Sequence, residues 1–130
     1  MKIIIGALFL MIALGTQAQK ATSGLLFCSE VNEQFQPLNA ISEITLKDKQ
    51  ASILYYYWNE TAFGTSGFTY KTFTVDKKGK ETLSGTISQT VQPGWRMVKQ
   101  NALFTTAGTY RVKIYNAENT ELGVATLNVK

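Results

Sequence analysis

The stretch Ala107-Gly108-Thr109-Tyr110-Arg111-Val112-Lys113-Ile114-Tyr115 limits the fold of this chain more than any other. Tyr110, Val112 and Ile114 alternate with Thr109, Arg111 and Lys113, and a period of two sends bulky side chains to one face of a sheet and polar ones to the other. A small-residue turn precedes the strand. A Gly two positions ahead of the Tyr that opens such a strand is the sequence form of a tyrosine corner, in which the ring enters a core between two sheets and the hydroxyl reaches back to the turn backbone. The expectation is a buried Tyr110 with its hydroxyl satisfied by nearby main chain.

The remaining segments follow the same pattern of short strands and turns. Residues 24–31 read as a strand with Leu25, Phe27 and Val31 on one face. Residues 32–37 are turn-like, and Pro37 points to an edge or a kink. Ile41, Ile44 and Leu46 fit a short strand or one helical turn, which residues 47–50 break. Residues 51–58 form the most apolar segment after residue 18, rich in Ile, Leu, Tyr and Trp, a strand composition. Ile53, Tyr55 and Tyr57 alternate there with Leu54, Tyr56 and Trp58. Either the chain covers both faces of this strand, or one face offers aromatics to a partner. Residues 59–67 form a loop tipped by Phe63.

Alternation resumes over residues 68–76, and the lysines of residues 77–80 mark a solvated turn. Residues 82–91 are a Thr- and Ser-rich candidate for a strand pair, with Leu83, Ile87 and Val91 as apolar points. Pro93-Gly94 and residues 116–119 are turns. A half-buried strand closes the sequence, with Ala125, Leu127 and Val129 opposing Thr126, Asn128 and Lys130. Seven to nine strands without an amphipathic helix or internal repeat define an all-β chain.

The first 18 residues have a different character. Lys2 supplies a positive start, residues 3–14 an apolar run, and Thr16-Gln17-Ala18 a small-x-small site, the three parts of a helical signal peptide cleaved before Gln19. A membrane anchor is the alternative, but the run is shorter than the roughly 20 residues a span requires. The expected organisation is a signal peptide at 1–18 and a single domain at 19–130, secreted or periplasmic, with no membrane span after cleavage. Cys28, the one cysteine, lies too far from the apolar run to be a lipid anchor. It cannot form an internal disulfide, leaving an intermolecular bridge or a buried thiol among apolar neighbours.

Composition removes whole classes of activity. The formal charge of +4 falls to +3 without Lys2, and the cations are scattered, which argues against nucleic acid. There is no histidine, so the commonest general base, hydrolase triads and most transition-metal sites are missing. The nine carboxylates stand apart and lack calcium-loop spacing. A carboxylate pair acting on a glycoside needs a deep cleft, which so small a domain rarely provides. No catalytic residue, cofactor or metal is expected, and the chain is not read as an enzyme.

Three segments, Phe27-Cys28-Ser29-Glu30-Val31, residues 51–58, and Gly108-x-Tyr110-x-Val112 with its closing strand, resemble a small exported bacterial domain of the immunoglobulin-like antiparallel β-sandwich type. Val112 stands where antibody domains carry their second bridge cysteine, so the disulfide does not carry over. The resemblance implies a binding or accessory module. Its partner would be a protein or glycan met by Tyr56, Trp58 and Phe63, with Trp95 a further aromatic of the same kind. The alternative is a structural or adhesin-type subunit that assembles by sheet-edge pairing.

Overall fold

Nine strands run through residues 21–130, the part of the chain that the computed structural model describes. The signal peptide expected at 1–18 and its cleavage site lie outside the described residues. In chain order the strands are β1 (Ser23–Val31), β2 (Pro37–Ile41), β3 (Glu43–Ile44), β4 (Ala51–Asn59), β5 (Gly67–Val75), β6 (Glu81–Thr90), β7 (Met97–Phe104), β8 (Gly108–Asn116) and β9 (Glu121–Val129). They form a four-stranded sheet, β2-β1-β4-β7, and a five-stranded sheet, β3-β9-β8-β5-β6. All pairs are antiparallel except β3 with β9.

Period-two alternation explains which side chains meet between the sheets. From β4, Ile53, Tyr55 and Tyr57 point inward, and from β8, Tyr110, Val112 and Ile114 do the same. Phe27, Phe68, Tyr70, Phe104, Leu127 and Val129 are among the other side chains of the core. Each fully buried aliphatic side chain, such as Val112 or Leu127, contributes roughly 1.5–3 kcal/mol relative to exposure. Several buried rings meet edge-on, as Phe104 and Tyr110 do at 4.7 Å between centroids, an arrangement suited to their quadrupoles.

Tyrosines in a core need partners for their hydroxyls. Tyr110, 7% exposed, donates to the Thr106 carbonyl at 2.7 Å, while Gly108 takes a φ of +153° that other residues rarely adopt. This is the corner that the sequence predicts. Tyr55 shares a 2.9 Å hydrogen bond with Thr72, and Tyr70 donates to Gln89 Oε1 at 2.7 Å. Among the described residues no buried side-chain nitrogen or oxygen lacks a partner.

Three local outcomes refine the sequence reading. Residues 82–91 give one strand, β6, rather than a pair, because its whole length is taken up pairing with β5. A register shift at Thr72/Phe73 inserts an extra residue into β6 and turns Leu83 outward, 53% exposed, while Ile87 still faces the core. Ile41 and Ile44 fall on two strands, since the chain crosses from one sheet to the other at Ser42, whose carbonyl accepts from Asn128 N. Pro37 does begin an edge strand, where its missing N–H costs no ladder bond.

The free edges β6 and β7 lie on the same side of the sandwich. At one end Gln89 Nε2 donates across to the Lys99 carbonyl at 2.8 Å. Further along, the edges leave a slot of about 470 Å³ that reaches Tyr55, Phe104 and Tyr110.

Candidate functional site

The outer face of the four-stranded sheet is unusually apolar. Register places Leu26 beside Tyr56, Cys28 beside Leu54, Trp58 beside Met97, and Lys99 on the far side of Tyr56. The β1–β2 loop determines how much of this face meets solvent. Asn32 Oδ1 accepts from Gln34 N at 3.0 Å and Gln36 N at 2.9 Å, and Phe35 N donates to the Asn32 carbonyl at 3.0 Å. These bonds hold Phe35 at a φ of +59°, a strained conformation for a bulky residue, costing on the order of 1 kcal/mol or more. The turn brings the Phe35 ring within 6.2 Å of Tyr56, centroid to centroid.

Tyr56 is therefore only 3% exposed. Its hydroxyl donates to the Phe35 carbonyl at 2.9 Å, with Met97 Sδ 3.4 Å from the same oxygen, and burial pushes its pKa up. It is a post that holds the loop against the sheet. Trp58 is half-buried and lies across Gly24, where a Cβ would stand 2.8 Å from the indole Nε1. Phe63 packs at 4.8 Å from Phe68 and 5.7 Å from Tyr57, at the end of the core. Of the three aromatics expected to act together, Tyr56 and Trp58 share a face and Phe63 does not join them.

Trp95, which the sequence reading named with the other aromatics, completes this face together with Phe35, Arg96, Met97 and Lys99, which it did not single out. The β4–β5 loop is stitched to the β6–β7 loop by Asn59 N to the Arg96 carbonyl, Phe63 N to the Trp95 carbonyl and Gly64 N to the Pro93 carbonyl, each 2.8 Å. The second loop presents Trp95, 46% exposed, and leads into Met97, 37% exposed. Two shallow clefts share Arg96 and Met97. One, about 440 Å³, adds Phe35, Trp95 and Lys99; the other, about 420 Å³, adds Leu26, Tyr56, Trp58 and Glu60. The Lys99 ammonium lies 5.9 Å from the Phe35 ring centroid. The available signal was an aromatic, Phe35, inside an otherwise polar turn.

Other groups have structural explanations. Cys28 is free and fully buried, and burial pushes its thiol pKa up, away from the reactive thiolate. On the opposite sheet Glu81 bridges Lys113 at 2.9 Å and Arg111 at 2.6 Å. Lys113 first and Arg111 second hold its carboxyl below the usual range. Among the described residues no three His, Cys, Asp or Glu side chains gather as metal ligands.

No protein-family model matches the chain, and no curated protein matches it either. Among solved structures it is similar to an immunoglobulin-like protein from Pseudomonas aeruginosa, at 16% identity and a TM-score of 0.50 over 89% of this chain and 100% of that one. The fold is an immunoglobulin-like β-sandwich. A fainter likeness, to the CARDB domain of a Pyrococcus furiosus protein solved with di-metal ions, has a TM-score of 0.44 at 14% identity over 86% of this chain and 97% of that one. It is too distant to bear on metals or function here.

Proposed function

We propose that the chain is an exported, non-catalytic binding module that engages a protein or glycan on the outer face of its four-stranded sheet. The observation that carries this reading is the apolar strip from Trp58 through Met97 to Trp95, with Trp95 46% and Met97 37% exposed beside two clefts. Exposed aromatic and Met side chains grouped on one surface are characteristic of contact sites. Tyr56 and Phe35 support the strip from beneath and beside it. The lack of histidine in the sequence supports the non-catalytic part.

Trp95→Ser combined with Met97→Ser tests this directly. Trp95 and Met97 are each more than a third exposed, but Met97 Sδ also meets the Tyr56 hydroxyl, so urea titration should show a loss of about 1 kcal/mol with the fold kept. Retention of proteins and glycans from the exporting compartment is then compared with that of the wild type. A bound set lost in the variant is the expected result; an unchanged set overturns the reading.

A second reading, assembly through sheet edges, draws on the free edges β6 and β7 and the slot between them. It predicts concentration-dependent chains in size-exclusion chromatography, where the binding module runs as a monomer.

A further inference from the structure

We infer that the cleft lined by Phe35, Trp95, Arg96, Met97 and Lys99 takes a short segment of a partner protein in which an apolar side chain lies next to a carboxylate. This rests on the binding-module reading and adds the chemistry of its ligand. Met97, Val98 and the two aromatic rings give the cleft an apolar floor and walls. Its only charged lining groups are Arg96 and Lys99; no carboxylate lines it. Among the described residues neither cation forms an ion pair. Two exposed cations left over beside an apolar surface are complementary to an anionic ligand with an apolar body.

The remaining polar groups separate a peptide from a sugar. A glycan brings many hydroxyls, each of which needs a fixed donor or acceptor in the site. The one amide lining this cleft, Gln89, is already engaged: its Oε1 accepts from Tyr70 and its Nε2 donates to the Lys99 carbonyl. That leaves the guanidinium and the ammonium, which match a carboxylate, a single indole N–H on Trp95, and rings that match an aromatic or aliphatic side chain. The loop that carries Phe35 is held by five hydrogen bonds that Asn32 donates or accepts and by Tyr56, so the wall is formed before binding and little ordering entropy is lost.

The experiment uses the full protein and three probes: capped peptides alternating Phe with Glu, the isosteric Phe–Gln peptides, and oligogalacturonate. Trp58 and Trp95 both border the clefts, so intrinsic fluorescence reports binding alongside calorimetry. The Phe–Glu peptide should bind about tenfold more tightly than the Phe–Gln peptide at low salt, with the gap closing as salt screens the exposed charges. Arg96→Gln with Lys99→Gln should remove that gap by weakening the Phe–Glu peptide about tenfold more than the Phe–Gln peptide.

Equal affinity for the two peptides overturns the inference, as does oligogalacturonate binding where the peptides do not bind. The same charge variant in the retention experiment separates the two levels. If it keeps what Trp95→Ser with Met97→Ser loses, the face is a contact site and the acidic chemistry is wrong. If neither variant loses anything, both readings fall.

Discussion

Tyr110 makes two contributions that substitution can separate. Tyr110→Phe removes the 2.7 Å hydrogen bond to the Thr106 carbonyl and should lower the unfolding free energy by about 1 kcal/mol. Tyr110→Ala also empties the space against Phe104 and should cost about 3–5 kcal/mol. Urea titration of both variants against wild type checks the pair. The buried tyrosines also fix the response to alkali. Burial holds the Tyr55 hydroxyl up at about 12, and Tyr70 is raised for the same reason, whereas an unfolded tyrosine ionises near pH 10. The unfolded chain therefore releases protons first. Stability is fully present below pH 10 and falls as pH rises towards 12, by about 2–3 kcal/mol from Tyr55 alone; circular dichroism with tyrosinate absorbance follows it. The role of Tyr110 is legible in sequence because Gly108, the turn and the alternation are all adjacent. That of Tyr56 is not, because its cover, Phe35, is 21 residues away and is positioned by the side chain of Asn32.

Among the strands, β1 and β4 show how a single missing side chain shapes a surface. Gly24 pairs with Trp58, and the indole fills the place a Cβ would take. Gly24→Ala should push the ring off β1, shift the tryptophan emission to the red and cost roughly 1–3 kcal/mol, an overpacking penalty, as thermal unfolding would register. The alternation of β4 and β8 is readable without a structure, since each strand carries its own period. The course of β6 is not: Leu83 faces outward only because a register shift against β5 inserts an extra residue, and bulges belong to the pair of strands. Glu81, at the start of β6, reaches past β5 to Arg111 and Lys113 on β8, so an edge strand is tied to the centre of its sheet by charge as well as by its ladder.

Taken whole, the chain is expected to lose residues 1–18 on export. Intact mass of protein from an exporting host should correspond to a chain that begins at Gln19; retention of Met1 would remove both the compartment and the boundary. The all-β class follows from the strands that carry their own alternation, β4, β5, β8 and β9 above all, and the likeness to an immunoglobulin-like sandwich from Gly108 and Tyr110, whereas β2, β3 and β6 take their course from the strands they pair with. The cleft could not be foreseen in the same way, for Phe35 and Trp95 meet only after β1, β4 and β7 have assembled side by side. One pairing bears on time rather than place. β3, early in the chain, closes on Asn128 and Val129, and Leu46 N donates to the Lys130 carbonyl, while Leu127 and Val129 fill the middle of the core. The five-stranded sheet therefore cannot close at that edge until residues 128–130 have been made, so one of the earliest strands waits on the last, a long-range contact of the kind that slows folding.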